Sequence, residues 1–275
     1  MLDKNIGIFD SGVGGLTIVK NVLELLPNEN IVYLGDTARV PYGSRDDKTI
    51  LKYGFQDINF LKSKNTKIIV AACGTVSSVF FKNNMNESLN ESCNFIGIIE
   101  PTSNLAAETS KNRNIGIIGT KATINSKSYE ICLKNLDKDI STISQACPLF
   151  VPIVEEGIFK SNPDIAYKII DLYLNQFKKS NIDTLILGCT HYPLLAELIS
   201  NYFDDKINLI NPGVATAKFI KTYLEKNNML NYDGTTKEFF VTNSIDEFKN
   251  IAINFLNLAE IKSKVKNVNL TEIDK

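Results

Sequence analysis

The stretch LGCTHYPLL, Leu187 to Leu195, holds the only histidine of the 275-residue chain, His191, two residues after Cys189 and two before Pro193. Residues two apart at a strand end project to the same side, so thiol and imidazole can work as a pair. Such a pair could ligate zinc, act as nucleophile and base, or move protons. Zinc is disfavoured, because there is no second histidine and Cys73, Cys93, Cys132, Cys147 and Cys189 show no CxxC spacing. A Cys/His hydrolase has use for one cysteine. Here NTKIIVAACGT (Asn65 to Thr75) and NIDTLILGCTH (Asn181 to His191) align without a gap, each with a cysteine eight residues after an asparagine.

Upstream of each cysteine lies a second related segment, NIGIFDSG from Asn5 and NIGIIGTK from Asn114, in the same order. The halves read as a duplication. If a pseudo-twofold axis relates them, Cys73 and Cys189 face one another across one cleft. That arrangement suits inversion of a carbon centre: one thiolate removes a proton from one face while the opposite thiol delivers a proton to the other. Thiols titrate near working pH, so both forms can coexist. Asp10 and His191 are the expected acid/base partners of Cys73 and Cys189 respectively.

Four segments with polar side chains and small residues are expected at strand ends: Asp10-Ser11-Gly12, Tyr42-Gly43-Ser44, Cys73-Gly74-Thr75 and Cys189-Thr190-His191. Helix N-termini there would attract carboxylates and lower a thiol pKa, which favours an acidic small molecule. DSGVGG resembles a nucleotide loop, but Thr17 occupies the third glycine position of GxGxxG and no GxxxxGK[ST] occurs. Gly12, Gly14 and Gly15 then read as a tight strand-to-helix turn.

Aliphatic runs followed by helical patterns position these residues: IGIFD then Leu16 to Leu26, KIIVAAC then Val76 onward, NIGIIG, DTLILGC and KINLINP. Continuous runs such as Ile68-Ile69-Val70 suit parallel strands buried on both faces. Near the end, Ser244-Ile245-Asp246-Glu247 reads as a capping box opening a helix over Phe248 to Leu256, and the Lys-rich stretch from Lys262 to Lys275 says little. The length allows one large or two small domains, and a net charge of −1 argues against a nucleic-acid partner. The absence of an 18-residue apolar run argues against a membrane partner, and an N-terminus that enters a strand pattern at once, without a signal-peptide pattern, leads us to expect a cytoplasmic protein.

With these motifs in order, IGIFDSGVGGLTI, YLGDTARVPYGSR, AACGT, IGTKATINSKSY, CPLFVPIVEEG and LGCTHYPLL, the sequence resembles the glutamate racemases over nearly its whole length. The resemblance implies cofactor-independent, metal-free interconversion of L- and D-glutamate, supplying D-glutamate for peptidoglycan. It implies Cys73 acting on D-glutamate and Cys189 on L-glutamate, with Asp10, Ser11, Tyr42, Gly43, Gly74, Thr75, Thr190 and His191 at the substrate. Glu155, in VEEG, is a further candidate, against its reading as an exposed acid at a helix start. The implied fold is α/β: two similar domains, each a mostly parallel sheet flanked by helices, pseudo-twofold related with the active site between them. The division falls at residues 1–97 plus 211–275 and 98–210. The implied partner is glutamate, and a homodimer is an open alternative. One departure stands out: Gly74 occupies the place where the family usually has asparagine, which removes a side-chain amide and loosens the loop. A related racemase acting on aspartate, or a binding protein without turnover, are the competing readings.

Overall fold

The computed structural model describes residues 4–234, 236–256 and 265–270. Among them ten strands follow in chain order: β1 (Asn5–Asp10), β2 (Asn30–Gly35), β3 (Thr66–Ala71), β4 (Phe95–Gly97), β5 (Asn114–Gly119), β6 (Ser141–Ala146), β7 (Thr184–Leu187), β8 (Asn208–Ile210), β9 (Lys237–Val241) and β10 (Val265–Asn267). They form two parallel sheets, ordered β10-β9-β2-β1-β3-β4 and β6-β5-β7-β8. Without β10 and β9, the first sheet, β2-β1-β3-β4, repeats the order of the second. The duplication visible in the sequence is thus a duplication of topology.

Helices cover the sheets, so side chains of both faces are buried. Along β1, Ile6 and Ile8 join Leu16, Val19 and Val22, while Phe9 points the other way to Ile69 and Phe80. In β5, Ile115 and Ile117 pack on Tyr129 and Leu133, and Ile118 on Phe150 and Leu174. β2 carries the same aliphatic signature, although it is not among the expected strands. β6, STISQA, lies at a sheet edge with no fully buried residue, and it has no aliphatic run to read.

The chain leaves the first sheet after β4 through the helix Ile99–Thr109 and returns after β8 through Pro212–Lys226. Asn211 caps the returning helix, accepting from the Gly213 amide at 2.8 Å, and Ala217, Ile220 and Leu224 enter the core beside Val19 and Val22. Beyond it, a buried Lys67–Glu29 ion pair at 2.6 Å pins the chain: Glu29 accepts from the Asn231 amide and Lys67 donates to the Met229 carbonyl. This pair lies at the N-terminal ends of β2 and β3, opposite the end that carries the cysteines.

Two local expectations change. The last helix spans Ile245–Leu256, and Ser244 sits at φ 55°, in the left-handed region rather than the extended conformation of a capping serine. Most of the Lys-rich stretch from Lys262 lies outside the described residues, but residues 265–270 within it supply β10.

Candidate active site

Cys73 and Cys189 each follow their strand by two residues, and the strands place them alike. The Ala72 amide donates to the Phe9 carbonyl at 2.8 Å, and the Gly188 amide to the Ile118 carbonyl at 2.7 Å. Both thiols open into one cleft of about 340 Å³ between the C-terminal ends of the two sheets, a size suited to a small metabolite. Ser11, Tyr42, Gly43, Gly74 and Thr75 line it from the first sheet; Thr120, Glu155, Thr190 and His191 line it from the second. Helices begin at Gly74 and Lys121 directly beside the cleft, so unpaired amides face it. Among the described residues no group of three or more His, Cys, Asp or Glu is placed to hold a metal ion.

On the first side the setting is anionic. Cys73 donates to Ser11 Oγ at 3.5 Å. Burial and then the Asp10 carboxylate push its pKa up to about 12, against the Ser11 hydrogen bond and the Val76 amide. The expectation of a thiol acidified by a helix N-terminus fails here, because one amide cannot offset a dry pocket that also holds a carboxylate. Asp10 is fully buried behind Ser11 and Gly12 and does not line the cleft. Its Oδ2 accepts from the Gly12 and Gly15 amides, each at 3.1 Å, while Oδ1 has no hydrogen-bond partner among the described residues. Burial raises the Asp10 pKa, with His191 and the backbone amides opposing it.

On the second side the setting is cationic. His191 lies 3.9 Å from Cys189 Sγ through Nδ1 and 3.0 Å from Glu155 Oε1 through Nε2. Burial alone would lower its pKa; the contacts with Cys189 and Glu155 outweigh burial and raise it to about 10. Glu155 closes the helix Phe150–Glu155 rather than starting one, and its partner is the imidazole. Thr190 supplies a further link across the halves, its carbonyl accepting from Thr17 Oγ1 at 3.1 Å.

Gly12, Gly14 and Gly15 lie in the turn expected between β1 and the helix Leu16–Leu25, and Gly14 also has a second purpose. Gly12, Gly14 and Gly15 keep negative φ. A Cβ on Gly14 would lie 2.3 Å from Thr190 Oγ1 and 2.7 Å from His191, and one on Gly74 would lie 2.5 Å from the Gly188 carbonyl oxygen. These glycines let the halves touch. An asparagine at position 74 could enter only if the Cys73 and Cys189 segments moved apart. Tight packing against Gly188 also replaces the looseness expected of glycine there.

Thr120, on the wall opposite Gly43, escaped the sequence reading although IGTKATI was noted. It shares a hydrogen bond with Thr75 Oγ1 at 3.1 Å and caps the helix Lys121–Ser126. Its alignment with Ser11 across the duplicated strands was the available signal. Tyr192 also lines the cleft, donating to the Cys147 carbonyl at 2.9 Å.

Residues 14–220 match the Asp/Glu/hydantoin racemase family. The chain is 42% identical over 264 residues to the glutamate racemase of Listeria monocytogenes, covering 94% of this chain and 97% of that one. A glutamate racemase isoform from Bacillus anthracis superposes with a TM-score of 0.91 at 34% identity, covering 98% of this chain and 99% of that one. The Francisella tularensis glutamate racemase, solved with D-glutamate, gives 0.89 at 35% identity with the same coverage.

Proposed function

The chain belongs to the Asp/Glu/hydantoin racemase family, and from that premise we propose that it is a cofactor-independent glutamate racemase working through two cysteines. The observation that carries this reading is the presence of Cys73 and Cys189 in one cleft, each two residues past an equivalent strand. A substrate α-carbon held between them presents one face to each sulfur. From L-glutamate, Cys189 takes the proton and Cys73, still a thiol, returns one to the other face; from D-glutamate the roles exchange. His191 receives or supplies the proton on the Cys189 side, held there by Glu155. Asp10, with its open Oδ1, serves the Cys73 side. Amides of Gly74 and Thr75 at the helix start bind a carboxylate and steady the charge that develops beside the α-carbon. The ammonium group of the substrate brings a cation into the pocket and favours ionisation of Cys73, which burial and Asp10 oppose in the free protein.

The same reading divides the chain into residues 1–97 plus 211–275 and 98–210, meeting at the cleft. No described helix is long and apolar enough to cross a membrane, and the D-glutamate product would feed peptidoglycan synthesis in the cytoplasm. Circular dichroism of the purified protein with L-glutamate, D-glutamate and L-aspartate, without added cofactor, tests the assignment. Decay of either glutamate signal with aspartate unchanged is expected. An unchanged glutamate signal with folded protein would sink the reading.

A further inference from the structure

Behind the cleft wall formed by Tyr42 and Gly43 lies a buried charge cluster that none of the chemistry above uses. Asp36 follows β2 and is fully buried; Asp57, also fully buried, sits on the helix Asp47–Lys62. Arg39 reaches from the intervening loop to both carboxylates and to Gln56, with Nη2 at 3.3 Å from Asp57 Oδ1. The Tyr42 hydroxyl donates to Asp36 and lies 3.4 Å from Asp57 Oδ2. Thr242 Oγ1 donates to the other Asp36 oxygen at 2.9 Å, and the Asp36 amide to the Asp10 carbonyl at 3.0 Å. The loop's phenol hydroxyl is thus held from behind by both carboxylates, and its Gly43 stands against Thr120, where a Cβ would lie 3.0 Å from that side chain.

We propose that Asp57, acting through Arg39 and Tyr42, is a positioning residue that sets the Tyr42–Gly43 wall against Thr120 and so sets how tightly the cleft grips its substrate. The charge balance of the cluster supports this role. Two carboxylates share one guanidinium, so a second ionised acid would leave an uncompensated buried charge. Burial, then Asp36, push the Asp57 carboxyl well above the ordinary carboxylate range, and Arg39 and Tyr42 oppose this. The groups that face it are Asp36, Arg39, Tyr42 and, farther off, Asp10; Tyr33 senses its charge in turn. With its proton, Asp57 completes a neutral set behind the wall. Losing that proton as pH rises sets a second negative charge against Asp36 across the shared Arg39 and Tyr42, and this repulsion loosens the wall. A residue that served only to stabilise the fold would shift the melting temperature without singling out substrate affinity or this loop.

The inference rests on glutamate as the substrate, so two readouts are needed, one of them independent of turnover. Asp57→Leu is expected to raise KM for glutamate about tenfold while kcat changes less than about threefold. Hydrogen exchange should quicken in residues 36–46 but not in residues 114–119 of β5. Asp57→Asn, which keeps the shape without the titration, should restore both at neutral pH and remove the rise of KM expected of the parent at alkaline pH. Unchanged exchange over residues 36–46 in Asp57→Leu overturns the proposal whatever the protein does with glutamate. So does exchange that quickens equally in β5, or an alkaline KM rise that persists in Asp57→Asn.

Discussion

The two halves place a cysteine at the same point of the same topology, yet surround it with opposite charge. In the gap-free alignment of β1 with β5, Asp10 falls on Gly119; in that of β3 with β7, Thr75 falls on His191. The first half therefore draws the charged group near its thiol from the neighbouring strand, and the second draws its own from two residues beyond the thiol. Burial, and after it the Asp10 carboxylate, keeps Cys73 protonated. A histidine that stays charged at neutral pH lies beside Cys189, at 3.9 Å. Duplication supplies symmetric positions, and divergence at two positions sets an anionic neighbour beside one thiol and a cationic neighbour beside the other.

The strongest way to break this comparison is to remove one thiol. Cys73→Ala and Cys189→Ala should each lose racemisation by about 10³-fold or more. In deuterium oxide, however, Cys73→Ala should still exchange the α-proton of L-glutamate without inverting it, and Cys189→Ala that of D-glutamate. NMR of each recovered enantiomer reads this. Exchange of both enantiomers by either variant would dissolve the division of labour. A smaller loss, about 10²-fold in kcat/KM, is expected for Asp10→Asn and His191→Asn. Because enantiomers have equal energies, kcat/KM must fall equally in both directions. The asymmetry is then read in combination: adding His191→Asn to Cys73→Ala should stop exchange of L-glutamate, and adding Asp10→Asn should not.

Gly74 sharpens the comparison at the point where the halves touch. Gly74→Asn must displace the Gly188 carbonyl, so we expect it to cost activity, roughly tenfold in kcat/KM, instead of restoring a lost contact. Improved turnover would show that the new amide matters more than the spacing. The smallest effect concerns pH and stability. The folded His191 titrates near 10 against about 6.5 when unfolded. Its contribution to stability is therefore complete below about pH 6.5 and is lost as pH rises through 10. Thermal melts should show a shallower alkaline decline in His191→Gln than in the parent, and parallel declines would refute the charged contact.

Much of the scaffold was legible because parallel strands buried on both faces leave continuous aliphatic runs. NIGIFD, KIIVAA and NIGIIG could be read directly, whereas β6 at a half-exposed edge could not. The segments at the cleft were legible because Asp10, Cys73, Cys189 and His191 sit at strand ends, where polar groups interrupt apolar runs. Thr120 and the Asp57 cluster were hidden. A threonine at a helix start and an aspartate inside an amphipathic helix are ordinary in sequence, and only their neighbours make them unusual.

Sequence by itself determined the duplication, the pairing of the cysteines and the family, since these depend on residue identity and order along the chain. Tertiary structure decided the charge beside each thiol, the burial that holds Cys73 protonated, the imidazole contact of Glu155 and the reason for glycine at position 74. Each of those depends on atoms far apart in the chain and close in space. Desolvation and Coulomb energy follow distance through the folded protein, and sequence separation carries no measure of that distance.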